Sequence, residues 1–192
     1  MSKFRVSAQD NYPSRPVKVI VALPAGGSVD MVARLINQQL TAVVPVTKLV
    51  NMVLVARDKA RFGTPANLLA AAKTNPGKLT YASSGDGSPQ HLAGLLFESQ
   101  TGVKLLHIPY KGGASAITDL IGGVVDMAFA PVPEALAHIK SGNLHQVGVL
   151  ADKRAVSAPD IPTLREGGVN NVVLSAWIGL RAPAKTPQPI RD

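Results

Sequence analysis

The chain contains no cysteine. Disulfides, thiol nucleophiles and cysteine-based metal sites are therefore excluded. Aromatic residues make up only 4%, and no nucleic-acid-binding motif is present. The formal charge of +8 thus does not read as a nucleic-acid interface. Lysines and arginines are scattered without blocks of like charge. They describe a solvated basic surface whose net field favours anionic ligands. No apolar run reaches bilayer-spanning length. Residues 1–10 hold no apolar core of a secretory signal. Taken alone, that sets the expectation of a cytoplasmic chain if Met1 is the native start, or of a leader lost from an exported one.

What is present is a chain of 192 residues, 46% hydrophobic, enough for one large domain or two small lobes. The most informative stretch is Pro24-Ala25-Gly26-Gly27-Ser28-Val29-Asp30. It follows the apolar run 17–23 and precedes a helical pattern. A strand, a glycine-rich turn and a helix N-terminus together make an anion site: the first-turn N–H groups point outward and the dipole favours negative charge. A second copy follows strand 79–83, as Ser84-Gly85-Asp86-Gly87-Ser88-Pro89, with a helix from Gln90. Two such turns suggest that an acid is gripped at both ends.

Helix signals recur. Thr64-Pro65 and Ser88-Pro89 read as N-caps with proline at the first helical position. Asn75-Pro76-Gly77 stops the first of these helices. Pro133-Glu134 opens a third, which ends at Lys140-Ser141-Gly142, and residues 114–121 form a fourth. Between them lie apolar runs at 105–110, 126–130 and 146–151, of the kind that parallel strands show when helices cover both faces. Strands alternating with helices predict an open α/β sheet, with ligands at the carboxyl ends of the strands.

Several sharper readings can be weighed. Gly85-Asp86-Gly87-Ser88-Pro89-Gln90 starts like a dinucleotide fingerprint but has Gln90 where the third glycine belongs. The 24–30 turn lacks the Gly-Lys-Ser/Thr of a P-loop. His91, His107, His138 and His145 show no metal-ligand spacing, and neither metal nor cofactor is expected. Ser88 and His91 fall within reach of each other, but without an orienting acid they do not read as a catalytic pair. Helix capping by Ser88, with His91 donating a local hydrogen bond, is the expected arrangement, and the chain is not expected to be an enzyme. Tyr110-Lys111-Gly112 has two open readings: an ordinary βα loop, or a third anion-facing turn using the Tyr110 hydroxyl or backbone N–H groups. Trp177, the one tryptophan, reads as core or hinge packing.

With these segments in order, the chain resembles the Bug-type substrate-binding proteins of tripartite tricarboxylate transporters. The resemblance rests on Tyr12-Pro13-Ser14-Arg15-Pro16 leading to Pro24-Ala25-Gly26-Gly27, and on Asn75-Pro76-Gly77-Lys78-Leu79. It continues through Tyr81-Ala82-Ser83-Ser84-Gly85-Asp86-Gly87-Ser88 to His91-Leu92-Ala93-Gly94, then Ile108-Pro109-Tyr110-Lys111-Gly112 and Ser175-Ala176-Trp177-Ile178-Gly179-Leu180. It implies an α/β fold of the periplasmic-binding-protein type (type II), two-lobed, with parallel-rich sheets flanked by helices. It implies capture of a small carboxylate, held largely by backbone N–H groups, and its delivery to a membrane permease from a periplasmic location. The residues carried over as ligand-binding are Pro24, Ala25, Gly26, Gly27, Ser28, Asp30, Ser84, Gly85, Asp86, Gly87, Ser88, His91, Tyr110, Lys111 and Gly112.

The chain also departs from the family pattern. A strand–helix–strand block is absent where 40–44 runs almost directly into 45–50, and the C-terminal helix is not reached. Leu23 replaces an aromatic residue and Asp86 an asparagine. The expected division is a depleted lobe I from 12–52 plus 146–192, a lobe II from 53–145 and a flexible segment at 1–11. An incomplete lobe would expose Val19, Val21, Leu35 and Leu40 and favour self-association. The competing expectation is a non-binding family member that serves as an interaction module.

Overall fold

The computed structural model describes residues 48–178. The first glycine-rich turn, with Pro24, Ala25, Gly26, Gly27, Ser28 and Asp30, lies outside the described residues, as do Val19, Val21, Leu35 and Leu40. The described part opens with β1, Lys48–Ala56, which is absent from the expected strands. Its run Met52-Val53-Leu54-Val55-Ala56 is wholly buried. A continuous apolar run of that length is the mark of a strand covered on both faces.

A short helix α1, Lys59–Phe62, is capped by the Asp58 carboxylate. Helix α2, Pro65–Thr74, begins where expected: the Thr64 hydroxyl accepts from Asn67 N–H at 3.2 Å and Pro65 takes the first position. Strand β2, Thr80–Ser83, leads through the 84–88 turn to α3, Pro89–Thr101, which ends on Gly102 in the left-handed conformation. Then come β3, Leu106–Pro109, α4, Gly113–Gly122, and β4, Met127–Pro131. Helix α5, Val132–Lys140, starts one residue before the expected Pro133. Strand β5, His145–Val149, and β6, Ser175–Ile178, complete the described elements.

The strands form one sheet in the order β3-β2-β4-β1-β5, and β6 pairs with the N-terminal half of β1. β2 lies parallel to β3 and β4. β1 runs antiparallel to β4, β5 and β6. Five strands therefore share one direction and β1 opposes them. The sheet is thus parallel-rich, as expected, with β1 as its one reversed strand among the described residues. Asp126 fastens the start of β4 to β2, accepting from Thr80 N–H at 2.8 Å and from the Thr80 hydroxyl at 2.9 Å.

The strand period of two divides the core. Met52, Leu54, Tyr81, Met127 and Phe129 face one side, with Leu68 of α2 and Phe97 of α3. Val53, Val55, Ala82, Ala128 and Ala130 face the other, with Ile117 and Leu120 of α4 and Ala135 of α5. The expected lobe limits at 52/53 and 145/146 fall inside β1 and β5. Leu164, Val169 and Val172 join the first core, and Ala155, Ala158 and Ile161 the second. The C-terminal ends of β2, β3 and β4 lie along one edge of the sheet, which places the 84–88 turn, the 110–112 turn and the start of α5 side by side.

Candidate functional site

The 84–88 turn is closed by its own side chains. Ser83, buried at the end of β2, accepts from Gly85 N–H at 3.1 Å. Gly87 N–H donates to His91 Nδ1 at 3.0 Å, and Ser88 N–H to Gly85 O at 3.2 Å. The Ser88 hydroxyl caps α3, accepting from His91 N–H at 3.2 Å, and the Ser84 hydroxyl donates to Gln90 Oε1 at 2.9 Å. Gly85 and Gly87 have φ of 123° and 72°, which L-residues with a Cβ rarely adopt. The expectation that Gly85, Gly87 and Ser88 offer free N–H groups is corrected, because each has an internal acceptor. The N–H groups of Ser84 and Asp86 make no hydrogen bond among the described residues. His91 does both: its backbone N–H donates to Ser88 as expected, and its ring Nδ1 accepts from Gly87 N–H.

The next turn approaches the first. Tyr110 N–H donates to Ser83 O at 3.0 Å, and a Cβ on Gly85 would stand 3.4 Å from Tyr110 O. The Tyr110 hydroxyl turns onto α4 and donates to Asp119 Oδ2 at 2.8 Å. Burial first, and then the Asp119 bond, push its pKa up. That orientation corrects the reading in which this hydroxyl reaches a ligand. Lys111 is exposed. Gly112, with φ of 143°, starts α4 without a side-chain cap.

Three residues outside the expected site stand beside these turns. Glu134, in the first turn of α5, is 6% exposed. It lines a cavity of about 10 Å³ with Ser84, Gln90 and Gly113. His107, on β3, stacks on His91 with centroids 4.0 Å apart and planes 4° from parallel. Its Nε2 lies 2.7 Å from the Ser83 hydroxyl and its Nδ1 3.6 Å from Asp86 Oδ1. Burial and then His91 lower the His107 pKa, while Asp86 opposes the shift. Tyr81 stacks under His107 at 4.9 Å, and burial is the main cause of its pKa of about 12. No local motif marks these residues, because strand pairing sets β3 beside β2.

Asp86, His91 and His107 bring three ligand-type atoms within 4.8 Å of one another. The arrangement does not suit one metal ion. A ligated ion lies near the plane of each imidazole, and two stacked parallel rings share no such point. The lone pair of His91 Nδ1 is also engaged by Gly87 N–H. A larger groove of about 460 Å³ lies at the opposite edge of the sheet, lined by Thr64, His145, Thr163 and Glu166 among others. It lies away from the carboxyl ends of β2, β3 and β4, where open α/β sheets hold ligands.

The family model described as tripartite tricarboxylate transporter family receptor matches residues 31–191. The chain belongs to this family. Protein BugT of Bordetella pertussis is 30% identical, over 94% of this chain and 74% of BugT. That alignment extends over 242 positions, more than the 192 residues here, so BugT carries internal positions without a counterpart. Among solved structures, R. palustris Rpa4515 with adipate superposes with a TM-score of 0.86 at 24% identity, covering 94% of this chain and 80% of that one; at this identity the likeness shows the fold. MatC of Rhodopseudomonas palustris with bound malate gives 0.68 at 28% identity over 79% of this chain. The chain covers 51% of MatC.

The fold is thus that of the periplasmic binding proteins, and the family is one of solute-binding receptors, not enzymes. Ser88 and His91 fit that assignment: one caps a helix and the other fastens a turn. No helix among the described residues is long and apolar enough to cross a membrane.

Proposed function

We propose that this receptor captures a small carboxylate in the periplasm and passes it to the permease of a tripartite transporter. The observation that carries the reading is the meeting of the 84–88 and 110–112 turns at the carboxyl ends of β2 and β3, so close that a Cβ on Gly85 would touch Tyr110 O. Ser84 and Asp86 N–H groups would face the ligand from one side. The turn of Pro24, Ala25, Gly26, Gly27, Ser28 and Asp30 would close over it from lobe I. In this reading the segments before β1 and after β6 make lobe I, and the junction of β1 with β6 carries the chain between lobes.

Titration calorimetry of the full chain against di- and tricarboxylates, acidic amino acids and monocarboxylates tests this. Saturable binding of at least one class is expected. The second reading, a non-binding member that acts as an assembly module, draws on the internal positions present in BugT and absent here. A folded chain that binds none of the panel and self-associates in light scattering would replace the first reading with the second.

A further inference from the structure

We propose that the edge of the sheet opposite the two turns docks onto an anionic phospholipid surface. The inference is independent of the carboxylate reading. In the sequence the lysines and arginines are scattered, but the fold gathers six of them at this edge. β2 is parallel to β3 and β4, and β1 is antiparallel to β4 and β5, so β2, β3, β4 and β5 start where β1 ends. Lys78 and Lys104 lie just ahead of β2 and β3. Their loops touch, with Gly77 N–H donating to Lys104 O at 2.9 Å. Arg57 follows β1, and a Cβ on Gly123 would meet its guanidinium, which places it over the loop into β4. Lys59 and Arg61 stand on α1, next in the chain, and Lys140 ends α5. All six are exposed.

None of the six makes an ion pair among the described residues, whereas Arg154 and Arg165 elsewhere are paired with Glu166 and Asp152. The carboxylates of this edge are engaged by the backbone. Asp58 accepts from Arg61 N–H, Glu98 from Leu105 N–H and Asp126 from Thr80 N–H. Lys140 has a local role at the C-terminus of α5, where the dipole favours a cation. Arg57, Lys78 and Lys104 lie outside the helices and have none. From β3 to β5 the sheet is four strand spacings wide, about 19 Å. Cations one or two spacings apart stand within about one Debye length at physiological salt, so their potentials add. None of the six lines the groove at Thr64 and His145. The charge is therefore spread over an outer surface and not focused in a pocket, which suits a layer of anionic headgroups. Val124, 67% exposed beside Gly123, adds an apolar tip to the same edge. The 84–88 and 110–112 turns lie at the other end of the strands, so docking leaves them open to solvent.

The test is co-sedimentation of the full chain with vesicles of phosphatidylcholine alone and of equimolar phosphatidylcholine and phosphatidylglycerol. Binding to the anionic vesicles is expected to be about tenfold or more tighter, and to fall as salt rises. Lys104→Glu is expected to weaken it about fivefold, and Lys78→Glu with Lys104→Glu about tenfold or more. Lys153, exposed and past the far end of β5, supplies the control. Lys153→Glu changes net charge as much as Lys104→Glu does and should shift binding by no more than about twofold. Melting curves check that each variant is folded. If charge reversal lowers the melting temperature, Lys78→Gln with Lys104→Gln replaces it, with a smaller loss in the same direction. Equal binding to both kinds of vesicle, or to neither, overturns the proposal. So does an equal loss from Lys104→Glu and Lys153→Glu, which would assign binding to net charge and not to this edge. Binding to poly-glutamate but not to vesicles would make the occupant an acidic protein and overturn the lipid assignment.

Discussion

The two turns at the carboxyl ends of β2 and β3 are built in opposite ways. In the 84–88 turn, Ser83, Ser88 and His91 side chains hold the backbone, and Gly85, Gly87 and Ser88 N–H groups all have internal acceptors. In the 110–113 turn, Gly112 opens α4 with no side-chain cap, and a carboxylate from another element lies against it. The first turn is rigid by local hydrogen bonding. The second depends on tertiary packing. In a binding protein this separates a preformed wall from one whose chemistry is set by a distant residue.

The largest expected effect breaks the first turn. Gly87→Val places a branched side chain at φ of 72°. The left-handed conformation alone costs about 1–2 kcal/mol, although no neighbouring atom would be struck. Urea unfolding should show that loss. Gly113→Ala, in contrast, meets only the end of the flexible Glu134 side chain and should cost less. If the two cost the same, the contrast between the turns is wrong.

Ser88→Ala removes the α3 cap and should cost about 1 kcal/mol by the same assay. No equivalent loss is available at α4, which has no side-chain cap to remove.

A pH effect should follow from His107. Its folded pKa is lowered by burial and by His91, so below about 6.5 the unfolded chain binds a proton that the folded chain resists. Stability should therefore fall as pH drops through and below that range. His107→Gln should flatten this part of a melting-temperature profile. An unchanged slope would show that His107 does not carry this part of the profile.

The smallest effect concerns Asp86. Its exposed carboxylate is screened by solvent, so Asp86→Asn should tighten carboxylate binding by only about twofold at low salt. The gain should vanish as salt rises. A gain that persists at high salt would show that Asp86 touches the ligand and is not a screened surface charge.

Much of the local structure was legible. Thr64-Pro65 and Ser88-Pro89 mark helix starts because capping and proline geometry act within four residues. The glycines at 85 and 87 mark the turn because their φ values need them. β1 was not legible, because a short run buried on both faces has no alternation to show its period. Nor was its antiparallel direction, which nothing within the run specifies. The role of the Tyr110 hydroxyl stayed open because its partner, Asp119, is chosen by helix packing.

The sequence by itself determined the α/β class, the positions of four helices and the glycine-rich turn after β2. These follow from caps, glycine conformations and hydrophobic period, all of which act over a few residues. Only the tertiary structure decided which polar groups meet there. It brought His107 onto His91 across β3 and α3, and Glu134 onto Gly113 across α5 and α4. Such contacts depend on sheet order and on how helices pack across its face. A long-range pairing leaves no periodic trace in either partner's sequence, so these contacts came into view only with the fold.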